Sequence, residues 1–157
     1  MINRFVCYSF ILVLTTSCAG HLSESASNKP FTPSMLSGQT LYDVWDNGPP
    51  DKYIGIPLKF IAEGKLTYGA ERILSTTNFL TGGTWTIDEN GVLGIFAPTP
   101  YEGDSDYAYY KLINNATNRY DVCFSATRSK ATSCTQANEY LFLDLATAQK
   151  VVDADHL

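Results

Sequence analysis

The chain has 157 residues, enough for one domain and a leader but not for two domains. Hydrophobic residues make up 45% and charged residues 17%, so a real core can be buried. The net charge of −5 repels phosphate backbones, which argues against nucleic acid as a partner.

The first 18 residues, MINRFVCYSFILVLTTSC, read as an export signal. Arg4 supplies its positive charge. The apolar run 5–14 is too short to cross a hydrocarbon core of roughly 30 Å as a helix. Thr15, Thr16, Ser17 and Cys18 follow, and no later run is long enough for a transmembrane helix. The protein is therefore expected to leave the cytoplasm.

A short signal ending in small residues and a cysteine resembles the lipobox of bacterial lipoproteins. The resemblance implies that residues 1–17 are removed and that the Cys18 thiol carries diacylglycerol. The membrane would then be a partner through this N-terminal lipid. Ala19, next to the lipidated residue, implies sorting to the outer membrane with the domain facing the periplasm. The family usually has Leu three residues before the cysteine, whereas this chain has Thr15 there and Leu14 one place earlier. Cleavage near 19–20 by the general signal peptidase, giving a secreted protein, is the competing reading.

Residues 18–34 are Ser-rich, contain Pro30 and Pro33, and show no hydrophobic period, so they read as a flexible tether. A single domain is expected over 35–157. Residues 41–46 (LYDVWD) form the first strand, ended by the turn-rich stretch 46–51. Ile54, Ile56, Leu58 and Phe60 then recur with period 2, the mark of a strand with one buried face. Pro57 cannot donate to a ladder, which places it at an edge or bulge. Glu63 and Gly64 turn the chain into a third strand at 65–68.

Residues 70–82 fit either a short helix or an irregular strand. Strands at 83–88 and 92–97 flank the turn Glu89-Asn90-Gly91, and a surface loop carries 97–106. In 107–113, Tyr107, Tyr109, Lys111 and Ile113 share one face, and Ala108, Tyr110 and Leu112 the other. A turn at 114–118 leads into 119–125, where Tyr120, Val122 and Phe124 face one way and Asp121 and Cys123 the other. Tyr140 and Phe142 alternate with Leu141 and Leu143, and Asp144 caps a helix over 145–154 that packs across an open end or a face of the sheet. The resulting fold class is all-β: a small antiparallel barrel or sandwich, lipocalin-like in strand count and hairpin order, with a short C-terminal helix.

Of the four cysteines, Cys7 and Cys18 lie in the signal. Cys123 and Cys134 remain, and an oxidising compartment favours a disulfide between them. A redox or metal pair would need CxxC spacing or a nearby His, and neither is present.

The two histidines, His21 and His156, lie in the tether and at the C-terminal end. That leaves no Ser–His or Cys–His nucleophile and no His-based zinc site. Phosphate loops, dinucleotide fingerprints and H-E-x-x-H are absent. An enzyme would have to work with carboxylates and tyrosines alone. The densest acidic cluster, Glu102-Gly103-Asp104-Ser105-Asp106, lacks EF-hand spacing and reads as a solvated loop. Asp88-Glu89-Asn90-Gly91 reads as a hairpin turn, and the sequon at 115–117 as turn chemistry. Trp45, Trp85, Tyr107, Tyr109, Tyr110, Tyr120 and Tyr140 read as core and cross-strand packing, and the inner positions of a barrel of this size are expected to fill it.

No catalytic residue, metal ligand or cofactor is expected, and no motif assigns ligand-binding residues. The functional expectation is an envelope-anchored, non-enzymatic lipoprotein that binds a small apolar ligand or a partner protein. The rival is an inhibitor of a periplasmic or host hydrolase, since small disulfide-bearing barrels on lipoproteins resemble periplasmic lysozyme inhibitors in architecture. Loops 97–106 and 126–138 would then make the contact.

Overall fold

A strand whose apolar residues recur at every second position must cover one face. Eight such strands solve the problem here by closing on themselves. The computed structural model describes residues 30–49, 52–98 and 106–154. The export signal, Cys18, most of the tether and the acidic cluster except Asp106 lie outside the described residues.

The strands are β1 (Thr40–Asp46), β2 (Tyr53–Phe60), β3 (Lys65–Gly69), β4 (Phe79–Ile87), β5 (Leu93–Phe96), β6 (Tyr107–Ala116), β7 (Arg119–Ser125) and β8 (Glu139–Phe142). Each pairs antiparallel with the next, and β1 also pairs with β8 through Tyr42 opposite Phe142 and Val44 opposite Tyr140. The fold is therefore a closed barrel rather than a sandwich, with no edge left to protect. Among the described residues, three α-helices accompany it: α1 (Pro33–Leu36), α2 (Arg128–Ser133) and α3 (Leu145–Ala154).

The turns follow the expected chemistry. Glu63 and Gly64 both have positive φ (61° and 75°), and Gly91 has φ 71°. Asp88 Oδ1 accepts from the backbone N–H groups of Asn90 (2.8 Å) and Val92 (3.0 Å), which folds the β4–β5 connection. Gly91 is required twice over, because a Cβ there would also stand 1.9 Å from Pro30 Cβ.

Four local expectations are corrected. Residues 70–78 are irregular, and β4 begins at Phe79 rather than at 83. The turn after β6 is shorter than 114–118, because Asn115 and Ala116 still pair with Tyr120 and Arg119. Pro57 lies inside a closed barrel and is fully buried opposite Tyr42, not on an edge strand. Its missing N–H is tolerated because β2–β3 pairing stops one residue short of it, at Leu58 opposite Tyr68. Finally, the barrel reaches further back than residue 35. Phe31 is 2% exposed, its N–H donates to the Gly91 carbonyl (3.2 Å), and its ring meets Tyr120 edge-on at 5.7 Å.

The core has two parts. Inside the barrel, Leu41, Phe60, Leu66, Leu93, Leu112, Val122 and Leu141 are buried at one end, which Phe31 and Leu36 close. Each such side chain stabilises the fold by roughly 1.5–3 kcal/mol. Outside, Tyr42, Val44 and Phe142 are covered by Leu145, Ala148, Val151 and Val152 of α3. The helix thus packs on a face of the sheet and not over an open end. As expected, Asp144 caps it, accepting from the Thr147 N–H at 2.8 Å. The expected disulfide joins Cys123 in β7 to Cys134 just after α2, with Cα atoms 6.2 Å apart. It fastens the 126–138 connection to the outer wall, and Lys111 adds bonds to the carbonyls of Thr132 (3.0 Å) and Cys134 (2.7 Å).

Candidate functional site

The inward positions change character along the barrel axis. At the end closed by Phe31 they are large and apolar. At the other end they include Ala97 and Ala108, with Gly69 at the rim. Ala108 stands opposite Ile95 across β5 and β6, so one wall lacks the bulk that fills the closed end. The consequence is a cavity of about 410 Å³, entered between the ends of the strands. The interior is not filled along its whole length, contrary to expectation. Small residues at two inward positions leave room that Ile, Leu and Phe would have taken.

Trp45, Ile56, Leu58, Tyr68, Ile95 and Phe124 give the cavity an apolar, largely aromatic wall. Arg72, Asp106 and the half-exposed Tyr107 stand among its lining as well. Tyr68 donates its phenolic proton to the Pro98 carbonyl, which holds that ring against the wall. Phe124 and Tyr110 tilt against each other at 5.5 Å.

Its polar part consists of Asp43 from β1, Glu139 from β8 and Tyr110 from β6. Asp43 shares the inward phase of Leu41 and Trp45, and Glu139 that of Leu141, so the pleat aims both carboxyls inside. Val44 pairs with Tyr140, which makes Asp43 and Glu139 diagonal neighbours on the inner face. Tyr110 reaches across the interior, donating its hydroxyl proton to Asp43 Oδ2 at 2.6 Å. Asp43 is 4% exposed and Glu139 9%. Asp43 Oδ1 is buried and has no hydrogen-bond partner. Among the described residues, no Lys or Arg forms an ion pair with either carboxyl.

No protein family, curated protein or solved structure matches this chain.

Burial raises the Asp43 pKa above the ordinary carboxylate range, and the Tyr110 hydrogen bond only partly offsets it. Burial raises Glu139 further, with the Asp43 charge adding to the effect. Tyr110 is pushed up by burial and by both carboxyls, so it stays a proton donor. The arrangement can accept a donor at Asp43 Oδ1 or hold a positive charge. It contains no nucleophile activated by a base.

Of the acidic cluster singled out in the sequence, Asp106 lines the cavity, and its other residues lie outside the described ones. Asp88 serves the β4–β5 turn. Burial would raise its carboxyl, but the Val92 and Asn90 amides and Arg128 (Nε to Oδ2, 2.6 Å) outweigh this and hold it below the usual range. Of the aromatic set, Trp85 and Tyr120 are core as expected, with the Trp85 Nε1–H donating to the Ile61 carbonyl at 3.0 Å. Tyr110 is also in the core and Tyr107 packs cross-strand on Phe96, as expected, and both line the cavity together with Trp45.

The carboxyl pair was missed, although residues 41–46 carry a signal for it. Both phases of that strand are apolar, Leu41/Trp45 and Tyr42/Val44. A strand covered on both faces has nowhere solvated to put Asp43.

Proposed function

We propose that the protein is an envelope-anchored, non-enzymatic binding protein that takes a small, predominantly apolar molecule into the open end of its barrel. One observation carries this reading: a cavity of about 410 Å³ with apolar and aromatic walls, at the end of an otherwise filled barrel. That volume lies within the roughly 300–1,000 Å³ typical of small-molecule pockets. A site lined by hydrophobic side chains with a few polar groups at one place is the usual design for orienting such a ligand.

The anchor in this proposal is the lipidated Cys18, supported by the sequence of the leader. The residues from 19 to about 30 would tether the barrel to the outer membrane, on its periplasmic side. The cavity favours a small ligand over hydrolase inhibition, because an inhibitor presents loops and needs no open interior. For an enzyme, the paired carboxyls would need a reacting group beside them that the described residues do not supply.

The test is a native mass spectrum of the full chain isolated from the membrane fraction of a host that processes lipoproteins. The expected spectrum shows loss of residues 1–17, added acyl mass, and a noncovalent adduct of low mass on part of the population. An acyl-free species cut near 19–20 would refute the anchor. A chain that neither carries nor takes up any small apolar molecule would refute the binding role.

A further inference from the structure

The cavity wall is mainly apolar, and among the described residues no cation pairs with Asp43 or Glu139 within it. Asp43 is 96% withdrawn from solvent, as its 4% exposure states, yet one of its two oxygens has no partner. Tyr110 satisfies the other oxygen and has no second proton to give. Glu139, the next inward residue round the barrel, brings a second carboxyl to the same place rather than a base. As carboxylates these groups would cost several kcal/mol of desolvation that no described cation repays, so the barrel alone holds them toward the protonated form. A protein built only to hold a hydrocarbon would gain stability by replacing both acids with apolar residues.

We propose that the cavity is specific for a small monoamine with an aromatic or branched apolar body, its ammonium group seated on Asp43 Oδ1 and Glu139. This proposal rests on the binding role above and names the ligand class for that same cavity. A primary ammonium has three donors, enough for the free Asp43 oxygen and a Glu139 oxygen at once. Its charge supplies what the acids lack, and in a water-poor interior such a charge-assisted bond is about twice as strong as a neutral one. Trp45, Leu58, Ile95 and Phe124 then receive the apolar body above the acids.

The same features select against other classes. A fatty acid or other carboxylate would bring a third acid to Asp43 and Glu139. A neutral hydrocarbon would leave Asp43 Oδ1 unpaired and both acids uncompensated. Arg72 and Asp106, which also line the cavity, are of opposite sign, so the lining keeps an excess of acids.

Calorimetric titration of the full chain with three probes of one shape tests the proposal: tryptamine, neutral 3-methylindole and anionic indole-3-acetate. Tryptamine is expected to bind at least tenfold more tightly than 3-methylindole, and indole-3-acetate more weakly than either. Asp43→Asn keeps an acceptor for Tyr110 but removes the charge. It is expected to cost tryptamine at least tenfold and to tighten 3-methylindole if it changes it at all, so that the preference between the two collapses, and Glu139→Gln is expected to act in the same direction. Melting curves confirm that each variant is folded. If 3-methylindole binds as tightly as tryptamine, or indole-3-acetate binds best, the amine specificity is wrong while the cavity role stands. If none of the three binds, and a neutral apolar dye does not bind either, the cavity role falls with it.

Discussion

The two ends of this barrel are built from the same alternation and come out differently. At the closed end, Leu41, Phe60, Leu66, Leu93 and Leu141 meet in the middle, and Phe31 and Leu36 plug the opening. At the open end, Ala97, Ala108, Asp43 and Glu139 occupy comparable inward positions, and about 410 Å³ stays free. The backbone is not the source of the difference, since all eight strands continue from one end toward the other. Side-chain volume and polarity are. A period-2 pattern tells which residues face in, and only their sizes tell whether the inside is solid.

The contrast can be broken most sharply by removing bulk from the closed end. Phe60→Ala leaves a cavity among fully buried neighbours and is expected to destabilise the barrel by about 3–5 kcal/mol in chemical denaturation. Ala108→Phe at the open end is the mirror experiment. It fills empty space, so stability should change by less than about 1.5 kcal/mol while ligand uptake is lost.

The disulfide fastens the 126–138 connection to the outside of the wall. Replacing Cys123 and Cys134 with Ser releases a loop that is expected to contribute about 3 kcal/mol in the chain-entropy account. Hydrogen exchange should rise in α2 and in the 126–138 connection, and stay low at Leu41, Phe60 and Leu141.

A smaller effect sharpens the polar side of the comparison. Asp43 and Glu139 both have raised folded pKa values, so the native state holds protons that the unfolded chain has already released. Stability from these two groups is therefore greatest below their unfolded pKa values of about 4 and falls as pH rises through the folded ones. Asp88 and Asp144 work in the opposite direction, because their folded pKa values are lowered. The Asp43→Asn, Glu139→Gln double variant is expected to lose the decline in stability that these groups give the wild type as pH rises from about 4 through the folded values of about 7 and about 10. At pH 8 it should be more stable than the wild type by roughly 1–3 kcal/mol, since an uncompensated buried group has been removed.

Much of the fold was legible because the strands and turns depend on short-range chemistry. Period-2 runs together with turn signals marked all eight strands, β4 from 83 rather than Phe79, and the turns containing Gly64 and Gly91 matched their positive φ. Asp144 signalled its helix through the cap. What was not legible depends on closure. Pro57 looked like an edge residue because edges are where ladders usually stop. Here the ladder to β3 stops locally inside a closed sheet. Phe31 sits in a polar stretch and shows its role only when the barrel end it plugs exists. The site was hidden for the same reason. Asp43 and Tyr110 lie 67 residues apart, and no local pattern says that β6 can reach across to β1. Of the acidic runs that stood out in the sequence, the one at Asp88 serves a turn. The pair that matters is two single acids inside apolar strands.

The central claim is that the open end of the barrel is a binding cavity and the closed end is core. Titrating the neutral dye N-phenyl-1-naphthylamine into the wild type and the Ala108→Phe variant, followed by fluorescence, tests it most directly. The account predicts saturable binding of one dye per barrel to the wild type, and at least a tenfold loss of affinity in the equally well folded variant. Equal binding by the two proteins, or none by the wild type, would contradict it.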